Sequence, residues 1–325
     1  MKTEARGILE YVRGAGRIVV ISHKDADGDT LGSALAMTEV IRGLGKDVVT
    51  RVPAPVPGIY DFLPGFDAIN PDEGGQVPDL VVVMDASNLE RLSDTLGVLP
   101  PGTPVVNIDH HVSNTRFGTL NLVVPDASST AEVTYELLQE LGIAITPTMA
   151  TNLYAGLLTD TGGFRHENTK FRPLQIAADL VRLGADAADI AERIYKSKKL
   201  STMKLTALVM ATIGYESDDQ LVHAYVSQDL LRRSGAQMDE SEGLIDMLQS
   251  VEGLLFAVLF KENTAEMTKI SVRSRGRANA NELAAAFGGG GHARAAGAEI
   301  VMPLEQARDA VLAEARRMIA QTATS

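Results

Sequence analysis

The chain has 325 residues, 45% of them apolar, with a mean hydropathy of +0.03, so it can bury one large core or two smaller ones, and two domains are expected. A formal net charge of −12 argues against a long nucleic-acid duplex as partner, which calls for a basic stripe, but leaves room for a small phosphate ligand. Cysteine is absent, which excludes disulfides and thiolate metal sites together and leaves His, Asp and Glu as the strong ligand candidates. No apolar run approaches the roughly 20 residues of a membrane span, and the N-terminal MKTEARGILEYVRG is charged and amphipathic, so no membrane partner and a cytoplasmic location are expected.

In chain order, Val- and Ile-rich runs at 17–23, 47–52, 79–87 and 103–111 read as strands, and amphipathic stretches at 30–45, 129–142 and 146–160 as helices. This alternation predicts an α/β fold with a parallel sheet covered by helices on both faces and polar groups clustered at the carboxyl ends of its strands. Residues 173–214 read as helices, PLQIAADLVRLG and then one long stretch, ADIAERIYKSKKLSTMKLTALVMATIG. Strands at 221–227, 254–262, 268–275 and 296–302 mix with helices near 239–249, 279–287 and 304–321, which suggests a smaller α+β domain. The expected division is a catalytic domain over 1–190, a helical connector over 191–214 and a substrate-binding domain over 215–325.

Four polar clusters follow the strands and helices of the first part. His23, Asp27 and Asp29 leave the first strand through a tight turn that can aim all three at one spot, although Asp27 and Asp29 also suit a solvated turn or a helix N-cap. Asp85 ends the apolar run LVVVMD, as a ligand at the mouth of a sheet or as the cap of SNLERL. Asp109, His110 and His111 follow VVNI; three ionisable residues at a buried strand end are hard to explain as packing, and successive side chains diverge, so the two histidines should do different work. Asp160 stands where a helical pattern stops at Asp-Thr-Gly-Gly, with Arg165 and His166 close enough in sequence to reach phosphate oxygens. Together His23, Asp27, Asp29, Asp85, His110 and Asp160 supply enough ligands for two metal ions if one carboxylate bridges, the usual clamp for in-line phosphoryl displacement. Mixed imidazole and carboxylate ligands suit Mn²⁺, Zn²⁺ or Fe²⁺ better than Mg²⁺ alone.

H-x-x-x-D-x-D, a strand-end Asp, Asp-His-His and a later Asp-Thr-Gly, in this order, resemble the four motifs of the DHH phosphoesterase family, whose branches include RecJ-like nucleases, nanoRNase/pAp phosphatases and cyclic-di-AMP phosphodiesterases. The resemblance implies two manganese ions: His23 and Asp27 on one, Asp29, His110 and Asp160 on the other, and Asp85 bridging. It also implies that Asp109 orients the neighbouring histidine and that His111 approaches the scissile phosphate.

In the second part, Arg273, Arg275, Arg277 and Arg294 face one acid, Glu282, across residues 273–294, a basic segment in an acidic chain and the place where an anion should bind. Gly288, Gly289, Gly290 and Gly291 cost entropy, and the expected return is exposed backbone N–H groups near phosphate; the bland alternative is a flexible surface loop. This segment is similar to the DHH-associated C-terminal domain, whose GGGGH-x-x-A-x-G loop recognises substrate, and the similarity implies that Arg273, Ser274 and His292 contact the non-scissile phosphate, sugar or base. The expected substrate is a short oligonucleotide or dinucleotide: nanoRNA, pApA, pAp or cyclic-di-AMP. A RecJ-like exonuclease calls for further nucleic-acid-binding domains and a basic channel, and a non-catalytic nucleotide-binding regulator should have lost metal ligands. A homodimer stays open beside a monomer.

Overall fold

The computed structural model describes residues 2–71, 77–96, 102–196, 199–218 and 220–323. The chain divides into two compact units, Met1–Ser197 and Lys198–Ser325.

The first unit opens with α1 (Lys2–Gly14), which buries Ala5, Ile8 and Val12 at helical spacing. It continues through β1 (Arg17–Ser22), α2 (Gly28–Gly43), β2 (Asp47–Arg51), β3 (Leu80–Met84), β4 (Val105–Asp109) and β5 (Leu120–Val123), then α3 (Thr130–Leu141), α4 (Pro147–Asp160), α5 (Phe171–Arg182) and α6 (Ala187–Tyr195). The five strands form a parallel sheet in the order β2-β1-β3-β4-β5. β5 is absent from the pattern-based strands: it is four residues long, and its Asn121 closes a turn with Gly118 instead of signalling a strand.

Alternation along the strands sends Ile18, Val20, Leu80, Val82, Met84, Val106 and Ile108 into a core shared with all six helices. Val19, Ile21, Val81 and Val83 pack on the other face against Ala86, Leu92 and Phe117. The expectation of helices on both faces is therefore corrected. Among the described residues the second face is covered by a 3₁₀ segment at Leu89–Leu96 and loop side chains, a thinner layer that the Val-rich pattern cannot distinguish from an α-helix.

α2 and α4 approach each other at glycine. A Cβ on Gly32 would stand 2.2 Å from the Asn152 carbonyl oxygen, and one on Gly156 would stand 2.9 Å from Asp29 Oδ1. Sequence punctuation sets the ends of the later helices: Ser129 accepts from Glu132 N at the start of α3, Gly142 closes that helix in the left-handed region, and Thr146-Pro147 starts α4.

The second unit comprises α7 (Leu200–Met210), β6 (Gly214–Glu216), β7 (Leu221–Val226), α8 (Gln228–Ser234), α9 (Leu244–Leu248), β8 (Phe256–Thr264), β9 (Met267–Ser274), α10 (Ala280–Ala285), β10 (Gly290–Gly291), β11 (Ala295–Ile300) and α11 (Leu304–Ala323). Its mixed sheet runs β10-β11-β9-β8-β7-β6, with β7 and β8 parallel and the other pairs antiparallel. α10 and α11 cover Phe256, Val258, Phe260, Ile270 and Val272 on one face, while α7, α8 and α9 cover Val222, Ala224, Ala257 and Leu259 on the other.

Two helical expectations change. The single long stretch after 187 is two helices, α6 ending at Tyr195 and α7 starting at Leu200, with Ser197 and Lys198 outside the described residues; Ile190 and Ile194 belong to the first core, Leu205 and Val209 to another. The helix near 239–249 is a 3₁₀ turn at Met238–Ser241 and then α9, separated by Gly243 at φ +78°.

The Gly32 contact gives a stability test. Gly32→Ala should lower unfolding stability by about 1–3 kcal/mol through overpacking against α4. Gly43→Ala, at the end of the same helix with nothing within 4 Å, should leave it unchanged or raise it by up to about 1 kcal/mol. Urea midpoints of the two variants, measured side by side, check the contrast.

Candidate metal centre

The register of three central strands builds the site. Ser22 pairs with Met84 and Met84 with Ile108, so His23, Asp85 and Asp109 follow side by side at the carboxyl end of the sheet. β1 and β3 are neighbours where the chain order reverses, the place at which open parallel sheets collect ligands. Asp85 lies there with φ +60°, a costly left-handed conformation for a non-glycine residue, and its N–H donates to the Ile108 carbonyl at 2.9 Å.

Around this 2%-exposed carboxylate gather three imidazoles. His23 Nε2 is 3.3 Å from Asp85 Oδ2, and His110 Nε2 and His111 Nδ1 are each 3.7 Å from Oδ1. The N-cap and first turn of α2 add Asp27 and Asp29, and the last residue of α4 adds Asp160, 3.5 Å from His110 Nε2. Three triads have ligand atoms within 4.8 Å of one another: His23, Asp27 and Asp85; Asp29, His110 and Asp160; and Asp85, His110 and His111. All six sequence-derived ligands are thus brought together.

The electrostatics fit a cation. Burial first, then the charges of Asp85, Asp160 and Asp27, hold the Asp29 carboxyl well above the usual carboxylate range, against two backbone N–H donors at 2.7 and 2.8 Å from Thr130 and Ala131. Burial pushes Asp160 up to about 7; His110 opposes this, and Asp27 and Asp85 add to it. Asp85 behaves oppositely, because the hydrogen bond from His23 and the charges of the three histidines outweigh its burial and lower its pKa. For His23 and His111 burial alone would lower the pKa, but Asp85 in the first case and Asp109 with Asp85 in the second raise it. Carboxyl groups raised by burial and by one another's charge, with nitrogen and oxygen donors alone around them, suit a borderline divalent cation.

The sequence reading missed the groups that hold these ligands. Thr30 Oγ1 lies 2.7 Å from His23 Nε2, 2.7 Å from Asp85 Oδ2 and 2.9 Å from Asp27 Oδ1, and Thr130 Oγ1 donates to Asp85 Oδ1 at 2.9 Å. Asp109, fully buried, accepts from His111 Nδ1 at 2.7 Å and from Asn114 Nδ2, so it orients His111 and is itself out of reach. Arg91 Nη2 stands 3.2 Å from His23 Nδ1. Threonines in the first turn of a helix read as capping residues, and Asn114 and Arg91 carry no local pattern, so no sequence signal separated them from ordinary turn chemistry. Asp27 does both things considered for it: it caps α2 through Thr30 N and faces His23 and Asp85.

Other expected contacts are placed differently. Arg165 is exposed but spends Nε on the Gly162 carbonyl at 2.6 Å. In the second unit Arg275 is exposed and Arg273 pairs with Asp246 at 3.2 Å. Ser274 is 1% exposed; its hydroxyl donates to the Ala293 carbonyl and accepts from Ala280 N, so it braces the loop from behind. The four glycines are not an open loop. Gly290 and Gly291 form the edge strand against Gly297 and Ala296, and Cβ atoms on Gly289 and Gly291 would come within 2.1 Å of Gly297 O and 2.6 Å of Ala295 O. Close packing within the protein therefore requires glycine here. His292 sits exposed at the tip, its N–H bonded to Ala295 O at 2.8 Å.

These shifts set a pH dependence for protein treated with chelator. Asp29 and Asp160, raised in the fold, contribute stability at acidic pH that is lost as pH rises, for Asp160 through about 7. His23 and His111, also raised, contribute stability present below 6.5 and lost above their folded values, whereas the lowered Asp85 matters only on the acid side. The melting temperature of chelated protein should fall between pH 5 and 8, and added Mn²⁺ should raise it more at pH 8 than at pH 5; a pH-independent increment would contradict proton–cation competition.

Residues 17–157 match the profile of the DHH family, N-terminal domain, and residues 218–321 that of the DHHA1 domain. The chain is 34% identical over 304 residues to a Thermus thermophilus protein named bifunctional oligoribonuclease and PAP phosphatase NrnA, covering 93% of this chain and 90% of that one. It is 29% identical to the Bacillus subtilis protein of the same name, over 92% and 93%. The crystal structure of an exopolyphosphatase-related protein from Bacteroides fragilis aligns with 100% of this chain and 98% of its own at TM-score 0.92 and 26% identity. Among the described residues no helix is long and apolar enough to cross a membrane. With both profiles matched in turn along the two units, and a relative this similar over nearly its whole length, the chain belongs to the DHH family of phosphoester hydrolases and carries a DHHA1 domain as its second part.

Proposed function

We propose that this protein is a manganese-dependent phosphodiesterase that hydrolyses short oligoribonucleotides and linear dinucleotides such as pApA to nucleoside monophosphates, and dephosphorylates pAp, in the cytoplasm. The observation that carries the reading is the set of His/carboxylate triads, two of which share Asp85 at the carboxyl end of the sheet. In this reading His23 and Asp27 would hold one ion and Asp29, His110 and Asp160 a second, with Asp85 available to both. Bound there, the cations would supply a nucleophilic water at neutral pH and neutralise charge on the phosphoryl oxygens. Asp109 fixes the His111 ring through Nδ1, so that Nε2 is the nitrogen presented to the scissile phosphate. The names and near-complete coverage of the relatives support the choice of linear, short substrates.

Recognition is assigned to the second unit, where Arg273, Arg275 and His292 meet the non-scissile phosphate, sugar or base on a loop that Ser274, Gly289, Gly290 and Gly291 keep in shape. Arg165 serves as a phosphate contact in the first unit through the guanidinium nitrogens that Gly162 does not occupy.

The deciding assay offers pApA, pAp, cyclic-di-AMP and a long single strand separately to purified protein with Mn²⁺; preference for the cyclic or the long substrate would overturn the assignment. EDTA should abolish turnover and Mn²⁺ should restore it better than Mg²⁺. Asp85→Asn should cost more than the about 10–100-fold typical of losing an outer-shell partner of a metal. Arg273→Ala should lower kcat/KM for pApA by about 10–150-fold, the loss of a charge-assisted contact of about 1.5–3 kcal/mol. Hydrolysis of bis-p-nitrophenyl phosphate should be spared; an equal loss on both substrates would place Arg273 in the fold.

A further inference from the structure

The Asp85 carboxylate is gripped at both oxygens by hydroxyls from different helices. Thr30 Oγ1, in the first turn of α2, donates to Oδ2 at 2.7 Å, and Thr130 Oγ1, the first residue of α3, donates to Oδ1 at 2.9 Å. Both threonines are 0% exposed. A hydroxyl has one proton to give. Asp27 Oδ1 competes for the Thr30 hydroxyl proton, with His23 Nε2 2.7 Å from the same oxygen, but Asp85 is the acceptor for Thr130 Oγ1. The backbone of Thr130 has a separate job, donating N–H to Asp29 Oδ2 at 2.7 Å.

Asp85 needs such a grip. Its φ of +60° costs of order 1–3 kcal/mol for a non-glycine residue and persists only where surroundings over-determine it. Left to rotate about its side-chain torsions, the carboxylate could turn one oxygen toward any of three imidazoles between 3.3 and 3.7 Å away. With a donor on each oxygen, the carboxylate plane is fixed so that Oδ2 faces His23 and Oδ1 faces His110.

We propose that Thr130, with Thr30, is a positioning residue that sets the Asp85 carboxylate in the orientation needed to serve two cations at once. The proposal rests on the two-cation reading above. A hydroxyl donor uses one lone pair on each oxygen and leaves the other for a cation, so the clamp and the bridge are compatible. Without the Thr130 hydroxyl, Oδ1 loses its fixed direction, and the cation on the Asp29, His110 and Asp160 side should bind more weakly than the one beside His23.

The test uses full-length chelated protein titrated with Mn²⁺, read by calorimetry and by electron paramagnetic resonance, where a carboxylate-bridged pair differs from isolated ions. Thr130→Val keeps the branched shape and the backbone N–H but removes the donor; it should weaken the second binding event about 10–100-fold, as losing an outer-shell partner does, and lose the coupled-pair spectrum. Thr130→Ser, which restores a hydroxyl, should recover both, and Thr130→Ala serves if the valine variant does not fold. Two events of wild-type affinity with a coupled spectrum in Thr130→Val or Thr130→Ala would overturn the clamp. So would failure of serine to rescue, because that would trace the effect to shape. Wild-type protein that takes up fewer than two ions would sink the two-cation reading itself, an outcome distinct from equal behaviour of wild type and variant.

Discussion

The cost of gathering carboxylates away from water organises the first unit. Asp29 and Asp85, almost wholly buried, and the partly exposed Asp160 come from three elements and meet at one place, so the fold can close only by giving them compensating partners. Three histidines converge on Asp85, two backbone N–H groups at the start of α3 meet Asp29, and two threonine hydroxyls complete the set. The histidine contacts join strand ends to one another, the Asp29 contacts join the starts of α2 and α3, and the threonine hydroxyls tie those helix starts to the end of β3. The sheet register, the closeness of α2 to α4 and the start of α3 are then parts of one electrostatic solution rather than separate packing choices.

The second unit solves a different problem. Its arginines stand in an acidic chain, and the segment that carries them is held by small residues and backbone bonds: Ala280 N to Ala293 O, Ser274 N to Arg294 O, and Arg294 Nη1 to Ala278 O. A segment with this much internal bonding does not gain order from a ligand. It presents exposed Arg275 and His292 on an already shaped backbone, and under the proposed function that shape lowers the entropy lost on binding a small anion.

How much of this was legible beforehand follows from where each signal lies. Ligands that end strands announce themselves because an ionisable residue after five apolar ones, as at Asp85, has few structural explanations, and the order of the four clusters carried the family resemblance. The strands around them were equally visible through their Val and Ile runs. β5 was hidden because four residues with a central Asn have no periodicity to read, and the thin cover on the second sheet face was hidden because burial looks alike under any layer. Thr30 and Thr130 were hidden for another reason: their importance lies in partners far along the chain, 55 and 45 residues from Asp85, and a hydroxyl looks the same in sequence whether it caps a helix or aims a carboxylate. The glycine run had a second reason that its sequence did not show: Gly289 and Gly291 pack against the backbone of β11, while Gly288, Gly290 and Gly291 stay exposed.

Gly156 has a consequence beyond helix packing. It lies one turn before Asp160 on α4 and within van der Waals reach of Asp29 on α2, so the separation of two acidic groups is written into a residue with no functional group at all. Any drift in that crossing would shift Asp160 relative to Asp29 and change the spacing of the two carboxylates. Under the two-cation reading, an exchange of glycine for alanine at this crossing would retune selectivity among divalent ions with every proposed ligand left in place.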